Sequence, residues 1–347
     1  MKKKSTLILS SAAALALALS ACGTGSSNSS KLSDVNYSMN GATAQPSVSF
    51  ATPFAASDAE AYKISDGEGE TIKDGDTLLV DATVFNGADT SALDSTYASN
   101  PMIIPVGESL KTAAPELYEI LVDSKVGVSF SYTTNIDATS TATASATPTV
   151  SPGTATNVEV YTVSGKLLKS AEGQAKEKKS TALESFSLTD DGTATLKLAE
   201  DRGDAPTELY TEDLITGNGP AITETDTVYV NYVGATWSDG AEFDGNYGKT
   251  PAGLSLSQVI EGWKKGLAGK TVGSRVLLII PSELAYGEDA ASSGAPEGAL
   301  VFVVDIVGSA PSRAEASPSA TAESAPASAE ATSTESESAE ASASASE

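Results

Sequence analysis

Five short runs between Val230 and Val307 hold the residues best suited to chemistry: VNYVG (230–234), EFDGNYG (242–248), QVIEGW (258–263), AYG (285–287) and ALVFVVDIV (299–307). They supply Tyr232, Phe243, Asp244, Val259, Ile260, Trp263, Tyr286 and Phe302. The 347-residue chain has no histidine and one cysteine, Cys22. That excludes His-based triads, His-ligated zinc sites and an internal disulfide framework. What remains is chemistry run by carboxylates, hydroxyls, amides or the shape of an apolar pocket, with no metal and no cofactor. Taken singly, these residues have plainer readings: Trp263, Phe243, Val259 and Phe302 as core, Asp244 as a turn residue, Tyr232 as a strand residue with a satisfied hydroxyl. Taken together they are harder to dismiss, because a filled core does not require two tyrosines and an aspartate around a tryptophan.

In order and spacing the five runs resemble the FKBP-type peptidyl-prolyl cis-trans isomerases, over about the last third of the chain before its tail. The resemblance implies an enzyme without cofactor that rotates X–Pro bonds in unfolded or folding polypeptides. Such rotation breaks amide resonance against a barrier of ~18–20 kcal/mol. A dry apolar pocket favours the twisted, less dipolar amide over the planar one and can hold the proline ring while the bond turns. By resemblance Trp263 is the floor under that ring, and Tyr232, Phe243, Val259, Ile260 and Phe302 are walls. The Ile260 N–H and the Tyr286 hydroxyl are donors, and Asp244 sits at the edge beside the Tyr232 hydroxyl. The chain departs from the family's pattern in two places. The loop GEDAASSGAPEGA (287–299) is small and acidic where members commonly carry isoleucines and often a histidine, and Ala252 stands where many have phenylalanine. Both changes make the site shallower and leave a second reading, a non-catalytic polypeptide-binding lipoprotein of holdase type on an FKBP scaffold.

The elements that must position these residues are mostly strands. Thr227–Val233 alternates Val228, Val230 and Tyr232 against Thr227, Tyr229 and Asn231, as a half-buried strand does. Asp239-Gly240 is a hairpin dipeptide, Val276–Ile280 reads as a buried strand, and Ala299–Val307 closes the sheet. A helix is expected over Gln258–Leu267, with Ser257 as N-cap and Gly269 just past the end. The implied fold class is α+β: two FKBP-like domains, each an antiparallel sheet wrapped around a short α-helix.

The second such domain follows from an internal repeat. Gly67–Pro101 laid over Gly217–Pro251 matches at ten of 35 positions, at a constant offset of 150 residues. With small gaps Val126-Gly127 falls on Val272-Gly273, Val158–Val163 on Val301–Ile306, and VSF (48–50) on LKL (196–198). In the first copy Ala82, Leu93 and Leu117 replace Tyr232, Phe243 and Trp263, no AYG follows, and only Asp94 of the pocket remains. A scaffold without its pocket reads as a spacer, a dimerisation surface or a client-holding surface.

The organisation expected is therefore a signal peptide (1–21), a flexible tether (22–46), a degenerate FKBP-like domain (47–168), a linker (169–194), an isomerase domain (195–310) and a disordered acidic tail (311–347). Lys2–Lys4 before the apolar run Leu7–Leu19 form a secretory signal too short to span a bilayer, which takes ~20 residues. Leu19-Ser20-Ala21-Cys22 resembles the lipobox of bacterial lipoproteins, which implies a lipid anchor at Cys22 and an extracytoplasmic place on the cell membrane. The net charge of −25 argues against nucleic-acid binding, since nothing forms a basic stripe to meet phosphates.

Overall fold

The computed structural model describes residues 29–41, 43–134, 154–287, 290–311 and 313. A hairpin of β1 (Asn36–Ser38) and β2 (Ser47–Ser49) precedes the first sheet. That sheet contains β3 (Glu60–Ser65), β4 (Thr77–Phe85), β5 (Ala92–Ser95), β6 (Met102–Pro105), β7 (Ser129–Thr133) and β8 (Val158–Leu167). Helices α1 (Glu108–Ala113) and α2 (Pro115–Leu121) lie between β6 and β7. The second sheet adds β9 (Gly173–Ala175), then, after a hairpin of β10 (Leu183–Leu188) and β11 (Ala194–Leu198), β12 (Tyr210–Gly217), β13 (Thr227–Thr236), β14 (Glu242–Gly245) and β15 (Ala252–Ser255). Helix α3 (Glu261–Leu267), β16 (Arg275–Ile280), α4 (Ala290–Ser293) and β17 (Leu300–Ala310) complete it.

The first sheet runs β3-β7-β8-β4-β5 with β6 on β4; the second runs β12-β16-β17-β13-β14 with β15 on β13 and β9 at its far edge. Strand for strand the order is the same, all antiparallel, and each half is preceded by its own hairpin. The two sheets belong to one compact unit. They meet where Leu79, Leu167, Tyr229 and Val307 form one buried cluster. Leu79 and Tyr229 are 150 residues apart, so the halves touch through the same position of each. This contact explains why the mixed face of β13 is not exposed: Tyr229 is 1% accessible although its strand alternates as if half-buried.

Several boundaries differ from expectation. The stretch read as a tether is folded from Leu32 onward, where Leu32 and Val35 are buried against Phe54 and Val158, and Tyr37 donates to the Leu32 carbonyl at 2.8 Å. The stretch 169–194, read as a linker, carries β9 and β10, and Leu183 packs with Trp237, Leu277 and Val301. The helix begins at Glu261, not Gln258. Ser257 does not cap it, because its hydroxyl bonds Ser255 Oγ at 2.8 Å, and Ile260 takes the N-cap position with extended backbone. Arg313, expected in a solvated tail, reaches back to Asp81 of the first half. Among the described residues no helix is long and apolar enough to cross a membrane.

Candidate functional site

The site lies on the helix-facing side of the second sheet. There β13 presents Tyr232 and Gly234, β14 presents Phe243 and Asp244, and β17 presents Phe302 opposite Gly234. Helix α3 brings Trp263 over them. It can approach closely because Gly262 and Gly266 face the sheet: a Cβ on Gly262 would stand 2.3 Å from Ile280 Cγ2, and one on Gly266 2.6 Å from Leu278 Cδ2. Trp263 is 4% and Phe302 3% accessible. The rings meet edge to face, Tyr232–Trp263 at 5.2 Å and 90°, Trp263–Phe302 at 5.3 Å and 86°, Phe243–Phe302 at 5.7 Å and 87°. Edge-to-face pairing sets positive ring edges on negative faces and fixes the basin's shape. Val259 and Ile260 pack against the same cluster.

Polar groups line one rim. The Tyr232 hydroxyl donates to Asp244 Oδ2 at 2.6 Å, and Asp244 Oδ1 accepts from the Gly245 N–H at 2.8 Å. Burial above all, then the bond to Asp244, pushes the Tyr232 phenol well above its ordinary value. Tyr286, 44% accessible, is raised by burial and by the Asp244 charge. Both hydroxyls therefore stay protonated donors at neutral pH. The Ile260 carbonyl accepts from the Trp263 and Lys264 N–H groups. Its own N–H, lying outside the helix, has no partner among the described residues.

All eight residues singled out in the sequence for this site thus lie in one region: Tyr232, Phe243, Val259, Ile260, Trp263 and Phe302 in the apolar basin, Asp244 and Tyr286 at its rim. Cys22 lies outside the described residues. Sequence reasoning missed two contributors. Gly234 makes room for the wall, since a Cβ there would stand 2.5 Å from Phe302 Cε1 and 2.9 Å from Phe243 Cζ. Asn246 fixes the loop carrying Asp244, its Oδ1 accepting from the Tyr232 N–H at 2.8 Å and its Nδ2 donating to the Val230 carbonyl at 2.9 Å. Its place in EFDGNYG, between Gly245 and Gly248, was the available signal.

The second sheet thus closes over one short helix, with the rings of Tyr232, Phe243, Trp263 and Phe302 packed between them. The profile of the FKBP-type peptidyl-prolyl cis-trans isomerases matches residues 219–307. An FK506-binding protein of Streptomyces anulatus is 44% identical over 110 residues, 30% of this chain and 89% of that protein. The isomerase FkpA of Escherichia coli is 38% identical over 126 residues, 35% of this chain and 46% of FkpA, so the match spans under half of that relative. The crystal structure of FkpA from Escherichia coli aligns at 38% identity over 31% of this chain and 51% of that one, with a TM-score of 0.28. The chain belongs to the FKBP-type peptidyl-prolyl cis-trans isomerase family, and its enzyme class is peptidyl-prolyl cis-trans isomerase.

Proposed function

We propose that the chain assists the folding of secreted or cell-envelope polypeptides by turning their X–Pro bonds in the Trp263 basin. One observation carries this reading: an Ile260 N–H with no partner among the described residues, at the edge of an aromatic basin whose opposite rim holds the Tyr232–Asp244 pair. The proline ring sits on Trp263 between Tyr232, Phe243, Val259 and Phe302. The Ile260 N–H and Tyr286 hydroxyl anchor substrate carbonyls flanking the bond, so that the amide between them is the part free to turn. Desolvation weakens the planar, dipolar amide, and the field of Asp244 acts at the rotating bond. No proton is transferred and no covalent bond is made.

The first half is a degenerate repeat in this reading. Its Ala82 offers no hydroxyl to Asp94, and Leu93 is 51% accessible where the second half has the packed Phe243. The lipobox at Leu19–Cys22 supports an extracytoplasmic, lipid-anchored place, two acyl chains giving a stable attachment where one is marginal. The test is proline-limited refolding of an unfolded protein, followed with and without the full chain. Acceleration that Tyr286→Phe reduces by about two- to tenfold, as expected for one neutral donor worth ~0.5–1.5 kcal/mol, supports the assignment. Suppressed aggregation without any acceleration would favour the holdase.

A further inference from the structure

In the second half Gly234, Phe302 and Leu278 form one cross-strand row. The equivalent row of the first half is Val84, Glu159, Tyr132 and Ala61, each paired directly with the next. Residues paired across antiparallel strands project to the same side of the sheet. A carboxylate therefore stands at the register position that the wall residue Phe302 fills in the other half. The neighbouring row changes with it: Phe130 and Tyr161 take the places of Val276 and Val304 and stack at 5.2 Å and 16°.

These groups are not closed upon themselves. The Tyr161 hydroxyl donates to Glu159 Oε2, and Oε1 has no partner among the described residues. Tyr132 is 9% accessible, yet its hydroxyl has no hydrogen bond among the described residues, and it lies in the field of Glu116 on α2 and of Glu159. Glu116 also lines, with Glu60 and Glu119, an adjoining cleft of about 430 Å³. No basic side chain is paired with Glu159 or Glu116 among the described residues: nearby Lys63 is held by Asp66 at 3.1 Å, and Lys111 lies over the Tyr118 ring. Burial raises the Glu159 pKa, as it does for a carboxylate without a counter-charge.

We propose that this face of the first half binds a basic side chain, lysine or arginine, of an extended polypeptide, with Glu159 and Glu116 as the charge partners and the Tyr132 hydroxyl as acceptor. An ammonium or guanidinium head brings the missing charge together with several N–H donors, and such charge-assisted bonds are about twice as strong as neutral ones. An acidic or apolar side chain would bring neither. The half that lost its proline pocket thereby becomes a second hold on the same kind of ligand.

The probe is a short fluorescent Gly/Ser peptide carrying several arginines and no proline, beside its glutamine counterpart, titrated into the full chain at low ionic strength. The arginine peptide should bind, and the glutamine peptide at least about tenfold more weakly. Glu159→Gln should weaken binding at least about fivefold, and Tyr132→Phe about two- to tenfold. Glu116→Gln, on the helix surface, tests the same site without touching the sheet and should also weaken it. Glu208→Gln, an exposed carboxylate of the second half, should change nothing. The proposal is overturned if Glu159→Gln and Glu116→Gln bind like wild type. It is equally overturned if Glu208→Gln weakens binding as much as they do, which would mean diffuse attraction to an acidic chain, or if the glutamine peptide binds as well as the arginine peptide.

Discussion

Removing the Arg313 side chain should unfasten the two halves. It leaves the end of β17 and places its guanidinium on Asp81 of β4, with Nη2 3.1 Å from Oδ2, Nη1 also donating to the Thr96 carbonyl at 3.2 Å, and the cation 5.8 Å from the Tyr97 ring. Asp81 is fully buried, and its one other partner among the described residues is the Thr96 hydroxyl at 3.3 Å. Arg313→Ala therefore strands a carboxylate in the interior, a change that costs about 3–5 kcal/mol. The arginine side chain is 18% accessible, so water can enter the vacated place, which puts the loss near the lower end, about 3 kcal/mol. At ~2–4 °C per kcal/mol for a chain of this size, the melting temperature should fall by ~6–12 °C. Adding Asp81→Asn removes the stranded charge and should restore more than half of that loss. Thermal unfolding followed by circular dichroism on the full chain measures both. A melting temperature for Arg313→Ala within about 1 °C of wild type, or a double variant no more stable than the single one, would refute the reasoning.

Gly234→Ala drives a methyl into Phe302 and Phe243; it should lower kcat/KM for an X–Pro peptide, and overpacking should cost ~1–3 kcal/mol in urea unfolding. Gly262→Ala, whose Cβ would stand 2.3 Å from a branched Ile280 methyl, should destabilise by a similar ~1–3 kcal/mol and shift the helix that carries Trp263. Glu159 has a folded-state pKa raised by burial above its ordinary 4.5, so the folded state holds the proton more tightly than the unfolded one. Its penalty is absent below the unfolded value and grows as pH rises through the folded value. The melting temperature of Glu159→Gln relative to wild type should accordingly rise from pH 4 to pH 7. Cys22→Ser should release the protein from membranes or leave it unprocessed; fractionation like wild type would remove the lipid anchor from the account.

Much of the second half was legible because its runs carry side chains that announce themselves: two tyrosines, an aspartate and a tryptophan at fixed intervals, and alternating valines in β13. The sequence pairs Val158–Val163 with Val301–Ile306 as a repeat, and the two sheets run in the same strand order. Apart from Asn246, what was missed had no local signal. The β10 strand lost its alternation because a bulge lies between Leu183 and Ser185, and β9 is the sequence Gly-Gln-Ala, held by backbone pairing with β12 alone. Leu32, Val35 and Tyr37 follow no helical or strand period because they straddle a single 3-10 turn. Gly234 acts through the atom it lacks. Arg313 sits among alanines and serines while its partner is 232 residues earlier, a distance at which no pattern along the chain could pair them.

The most direct test of the central claim compares two aspartates in matching places. Asp244 and Asp94 occupy equivalent positions beside β13 and β4, and each accepts from the next N–H at 2.8 Å. Only Asp244 receives a tyrosine hydroxyl and borders aromatic walls. Isomerisation of an X–Pro peptide by the full chain should fall about tenfold in kcat/KM with Asp244→Ala, a loss of ~1.4 kcal/mol of transition-state stabilisation. Asp94→Ala should leave it unchanged, with both variants melting like wild type. Equal losses at the two positions, or none at Asp244, would contradict an isomerase whose chemistry resides in the second half alone.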